Sequence, residues 1–190
     1  SIERSSNIVS DAITGVTLTL TKTTETGTVQ VSLSQDVNAV KTNIQALTTA
    51  YNEVVKFINE RTTYDVASKQ GGVFFNEASA KTVLSQLRTA LSSSVSGATV
   101  YSGVGQIGFK TGREGTITVD DGQLTTALST NYNGVKALFS NQGSATGLAQ
   151  SIVSAVDALN DVSGGVLTLR KNGLTSEISR IGDDIARQED

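Results

Sequence analysis

The sequence predicts an α+β fold: an antiparallel helical bundle with an inserted β-hairpin, preceded by part of a β-rich domain. Three observations lead there. Apolar residues alternate with threonines from Val16 to Leu20. At Asp36 the apolar spacing switches to three and four residues, the period of a helix face. Between 105 and 119 it returns to alternation before the helical period resumes. The switch at Asp36 separates a β-rich segment, 1–35, from a helical segment, 36–190, whose hairpin lies near 105–119.

In the first segment Val16, Leu18 and Leu20 fall on one face of a strand, with Thr17, Thr19 and Thr21 on the other. Val29, Val31 and Leu33 repeat the pattern, and the polar stretch Lys22 to Gly27 joins the two runs, so the expectation is an antiparallel hairpin. A two-stranded hairpin is barely stable in water and requires something to pack against.

The first helix follows. Val37, Val40, Ile44, Leu47, Tyr51, Val54 and Ile58 form an unbroken heptad seam, with Asp36 or Ser34 placed to accept a hydrogen bond from a free N–H at its start. Phe57 and Val55 widen the stripe, which suits a bundle helix better than a two-stranded coiled coil. A second helix is predicted over 76–94 on Ala80, Val83, Leu84, Leu87 and Leu91, after a linker punctuated by Gly71 and Gly72. Ile107 and Phe109, the turn Gly112-Arg113-Glu114-Gly115, and Thr116 to Val119 make the inserted hairpin. Asp120 with Gln123 three residues on reads as a helix cap, followed by Leu124, Ala127 and Leu128. A short helical piece, Val135 to Phe139, precedes a loop. Leu148, Ile152, Val156 and Leu159 define another amphipathic helix. After Gly164-Gly165, the heptad set Leu174, Ile178, Ile181 and Ile185 defines the last one, a seam suited to continuing as a coil or an intersubunit contact.

Composition argues against most catalytic chemistry. The 190 residues contain no His, Cys, Pro, Met or Trp. Serine–histidine triads, thiol nucleophiles and disulfides are therefore impossible, and zinc lacks both preferred ligand types. Carboxylate, Lys, Tyr or Ser chemistry stays open. With 15 Lys and Arg against 18 Asp and Glu the net charge is -3, so no basic face suited to nucleic acid is expected. No apolar run has the length of a membrane span, and no membrane partner is predicted. The chain starts at Ser1 and ends within a helical pattern, which reads as a piece of a longer protein.

The remaining motifs favour plain structural readings. Gly103-Val-Gly105-Gln-Ile-Gly108 matches GxGxxG, but a hairpin pattern follows where a dinucleotide site needs a helix. Asp120-Asp121-Gly122 lacks the other ligands of a calcium loop. Asp183 and Asp184 point about 100° apart on a helix and make no catalytic pair. Tyr51 reads as a core residue with its hydroxyl at the rim. No catalytic, cofactor-binding or metal residue is assigned.

Together these residues resemble a known family. Asn7 to Leu20, reading NIVSDAITGVTLTL, is similar to a signature of the bacterial flagellar filament cap proteins, also called hook-associated protein 2. The likeness continues through Val29-Gln-Val31, Asp36, Tyr51-Asn52, Phe57-Ile58, Ser85-Gln-Leu-Arg88, Gln106 to Phe109, Gly115 to Ile117, and Gly164 to Thr168 with Leu174 to Ile185. The resemblance implies a non-enzymatic, exported protein at the extracellular tip of the flagellum. Several copies would form a homo-oligomeric ring, an annular plate with legs, beneath which exported flagellin folds and inserts. Hook–filament junction proteins and an export chaperone would be further partners. Residues 1–35 would belong to the β-rich plate domain and 36–190 to the helical leg domain, with upstream plate and terminal coiled-coil segments lying outside this chain. A tip adhesin binding host glycans or mucin is the alternative, and a carboxylate hydrolase a third option.

Overall fold

The computed structural model describes residues 3–13, 16–23, 27, 30, 35–96, 100–141, 143 and 145–189. The chain separates into two compact units, Ser1–Gln35 and Asp36–Asp190. In the first, β1 (Ile8–Ile13) pairs antiparallel with β2 (Val16–Thr19), in the register Ile8 to Thr19, Val9 to Leu18 and Ile13 to Val16. An irregularity between Val9 and Ile13 shifts that register. The alternating run from Val16 is thus a strand, but its described partner is Ile8–Ile13, which sequence reading did not single out. The expected strand through Val29, Val31 and Leu33, and the alternative cap Ser34, lie outside the described residues.

In the second unit α1 (Val37–Thr62) opens on Asp36, whose carboxylate accepts the Ala39 N–H at 2.9 Å. Ile44, Tyr51, Val55 and Ile58 are its buried residues, while Val54, a member of the predicted seam, is 39% exposed. The reason is geometric. A straight helix of 3.6 residues per turn drifts about 20° per heptad against a 3.5 repeat, so by the third heptad Val55 has taken the place of Val54.

Next comes a small hairpin that the sequence did not announce, β3 (Tyr64–Asp65) with β4 (Gln70–Gly71). It folds back onto the end of α1: Gly72 N–H donates to Thr63 O and Phe74 N–H to Arg61 O. Gly72 is required there, because a Cβ would stand 2.2 Å from the Arg61 carbonyl oxygen. Helix α2 (Ala78–Ser92) is slightly shorter than predicted, since Asn76 sits at φ 60 and Ser93 is extended. Its buried face is Ala80, Val83, Leu87, Ala90 and Leu91.

A 3-10 turn, Val104–Ile107, leads into the inserted hairpin, β5 (Phe109–Thr111) and β6 (Ile117–Val119). Three side chains of α1 dock it. The Tyr51 hydroxyl donates to Gly115 O at 3.1 Å, and the Asn59 amide to Glu114 O at 2.9 Å. Asn52 makes two bonds to one residue, accepting from Ile117 N–H and donating to Ile117 O, both at 2.7 Å. An asparagine amide carries donor and acceptor side by side, so Asn52 takes the place of a neighbouring strand on the free edge of β6.

Helix α3 (Asp121–Phe139) starts at Asp120, whose carboxylate accepts the Gln123 N–H at 3.1 Å. It is broken at Asn131 (φ -149, ψ 76), whose side chain accepts the Gly134 N–H and recaps the second half. The predicted division into a helix and a short Val135–Phe139 piece reflects that kink. Helices α4 (Leu148–Asn160) and α5 (Val166–Glu189) complete the unit. The core is where the inserted hairpin wedges between α1 and α3: Val55, Ile107, Ile117, Leu124, Val135, Leu138 and Leu148 are each at most 1% exposed. Each such Leu or Ile contributes about 1.5–3 kcal/mol through burial. No polar side chain is buried among the described residues.

Candidate functional site

The motifs weighed in the sequence resolve into scaffold. Gly103 to Gly108 forms the 3-10 turn and then a strand, with Gly108 at φ 100 turning the chain into β5. Strand β5 follows Gly108 directly, where a dinucleotide site needs the glycine loop to open a helix. Asp120 caps α3 and pairs with Lys110 at 3.0 Å. The Gln123 N–H, then the Lys110 ammonium, hold its carboxyl below the ordinary carboxylate value. Asp184 is occupied by Arg180 and Arg187 on its own helix. Tyr51 lies in the core with its hydroxyl on the hairpin backbone.

What the fold leaves open is apolar. Helices α1, α2 and α5 surround a groove of about 1080 Å³. One wall is the outward face of α1, with Val54 and Phe57. Ala80 and Val83 of α2 form the floor, and Leu167, Leu174 and Ile178 of α5 the far wall. The drift that turned Val55 into the core turned Val54 and Phe57 toward this groove. At one end Phe57 and Phe74 stand with ring centroids 6.3 Å apart, and the Arg61 guanidinium lies 3.8 Å over the Phe57 ring. Arg61 also donates to the Phe57 carbonyl at 3.2 Å, which fixes this cation–π contact in place.

Arg170 of α5 reaches Glu77 at the start of α2, with Nη2 at 2.6 Å and Nε at 2.9 Å from one carboxylate oxygen. Desolvation pushes the Glu77 carboxyl up, but the Ser79 hydroxyl and Arg170 outweigh it and hold it below its ordinary value. This pair ties the first turns of α5 to the body. Along the rest of the helix Leu174, Ile178, Ile181 and Ile185 are 40%, 70%, 47% and 52% exposed, and no described residue of α5 is buried. A helix draws most of its stability from packing an amphipathic face, so a Leu and Ile stripe left in water is a surface built for contact.

Sequence reasoning found the stripe on α5 through its heptad spacing. It missed the opposite wall, because Val54 was assigned to the core, and it missed Phe74, which lies in a linker without periodic signal. Further apolar surface is exposed nearby in the sequence: Tyr64 and Phe75 pair with ring centroids 5.5 Å apart, and Val73, which lines the groove, is itself exposed. The surface is an apolar contact face bordered by Glu53, Glu77, Arg170 and Lys171.

Comparison with known proteins bears on what such a face serves. The family model described as "Flagellar hook-associated protein 2 C-terminus" matches residues 1–190. A B-type flagellar hook-associated protein 2 from Pseudomonas aeruginosa is 30% identical over 184 residues, covering 93% of this chain and 37% of that protein. The flagellar hook-associated protein 2 of Salmonella typhimurium is 31% identical over 162 residues, 82% of this chain and 34% of its own length. The chain thus spans about a third of the length of these two relatives. A crystal structure of the flagellar cap protein FliD, domains D1-D2-D3, from Escherichia coli superposes with a TM-score of 0.77 at 29% identity, over 90% of this chain and 46% of that one.

Proposed function

Since the chain belongs to the flagellar hook-associated protein 2 family, we propose that it is the C-terminal part of a filament cap, working through surface contacts and not through chemistry. The observation that carries this reading is the superposition on a solved flagellar cap protein over nine-tenths of the chain. In this reading the whole protein is exported, sits at the outer tip of the flagellum and assembles with copies of itself. Flagellin subunits fold and insert beneath it. Residues 1–35 belong to the plate domain and residues 36–190 to the leg.

The groove between α1, α2 and α5 and the stripe on α5 fit a leg that is completed from outside this chain. Covering Leu174, Ile178, Ile181 and Ile185 removes four large side chains from water, at about 1.5–3 kcal/mol for each one fully buried. An apolar helix from elsewhere in the whole protein supplies that cover. The exposed pair of Tyr64 and Phe75 adds aromatic surface of the kind that dominates contact energies.

Electron microscopy of the intact protein tests the reading. Rings with a plate and legs, into which residues 36–190 fit as the leg, are the expected result. Monodisperse single copies, both alone and mixed with flagellin, would overturn it.

A further inference from the structure

We draw no further inference here: the strongest candidate outside the site already described, the half-open apolar groove of about 530 Å³ between α1, α3 and α4 around Val40, Leu47, Tyr132 and Phe139, is an unpartnered apolar face, and nothing in the structure shows what covers it.

Discussion

Replacing Asn52 with alanine isolates the contact that seats the inserted hairpin on α1. Asn52 accepts the Ile117 N–H and donates to the Ile117 carbonyl, each at 2.7 Å, and the Ile117 side chain is in the core at 1% exposure. Truncation leaves two backbone groups without partners. A buried group left unsatisfied costs about 1–3 kcal/mol, and the site is only part-buried, so water recovers some of this. The expected loss is about 2–4 kcal/mol, or roughly 5–15 °C in melting temperature for a unit of this size. Asn59→Ala is the internal control, since it removes a single exposed bond to Glu114 O at 2.9 Å. It should cost about 0.5–1.5 kcal/mol. Urea unfolding followed by far-ultraviolet circular dichroism reads both, with an unchanged slope showing that the unfolded state is the same. The reasoning fails if Asn52→Ala lies within about 0.5 kcal/mol of the parent, or if the two variants are equal.

Two glycines should respond to alanine with opposite signs. Gly72→Ala drives a Cβ to 2.2 Å from the Arg61 carbonyl oxygen and should lose about 1–3 kcal/mol as the β3–β4 segment lifts off α1. Gly173→Ala meets nothing within 4 Å on the exposed helix α5 and should gain about 0.5–1 kcal/mol; melting curves of the two variants decide both. Besides Glu77, acid sensitivity should involve Asp120 and Asp65, whose carboxyl the Ser68 hydroxyl and then the Ala67 N–H hold below its ordinary value. Because both aspartates' folded values are depressed, their stabilisation is present above the ordinary carboxylate value and is lost as pH falls below it through the folded values. Melting temperatures recorded from pH 5 down to pH 2 should therefore fall less steeply for Asp120→Asn than for the parent; parallel curves would show that the cap and Lys110 contacts carry no linkage.

The starts of α1 and α3 were legible because each opens on a residue with a local mechanism. Asp36 and Asp120 cap through their own carboxylates, three residues ahead of the N–H they hold. The break at Asn131 left its mark as an interruption between Leu128 and Val135. Other features depend on distant parts of the chain. Strand β1 carries an irregular register between Val9 and Ile13, so its alternation is too broken to read. The two-residue strands β3 and β4 are too short for any period to register, and Gly72 beside them is explained only by the nearness of the α1 terminus. Asn52 and Asn59 look like ordinary polar positions in the sequence; their partners lie 65 and 55 residues away.

The groove was half visible for the same reason. The spacing of Leu174 to Ile185 shows a helix face in one short window, whereas the rotation of α1 that exposes Val54 and Phe57 accumulates over three heptads. Composition set the direction in a different way. A chain without His or Cys leaves few catalytic routes, and the fold presents apolar contact surface instead.

The central claim is that this region serves a cap through the exposed face of α5. The direct test places Leu174→Asp, Ile178→Asp and Ile181→Asp together in the intact protein, produced in a flagellated cell that lacks its own copy. All three side chains are at least 40% exposed here, so residues 1–190 carrying the same changes should melt within a few degrees of the parent. The account predicts that the variant chain is made and exported but that filaments are short or absent and flagellin is released into the medium. Full-length filaments and parental swimming would contradict it.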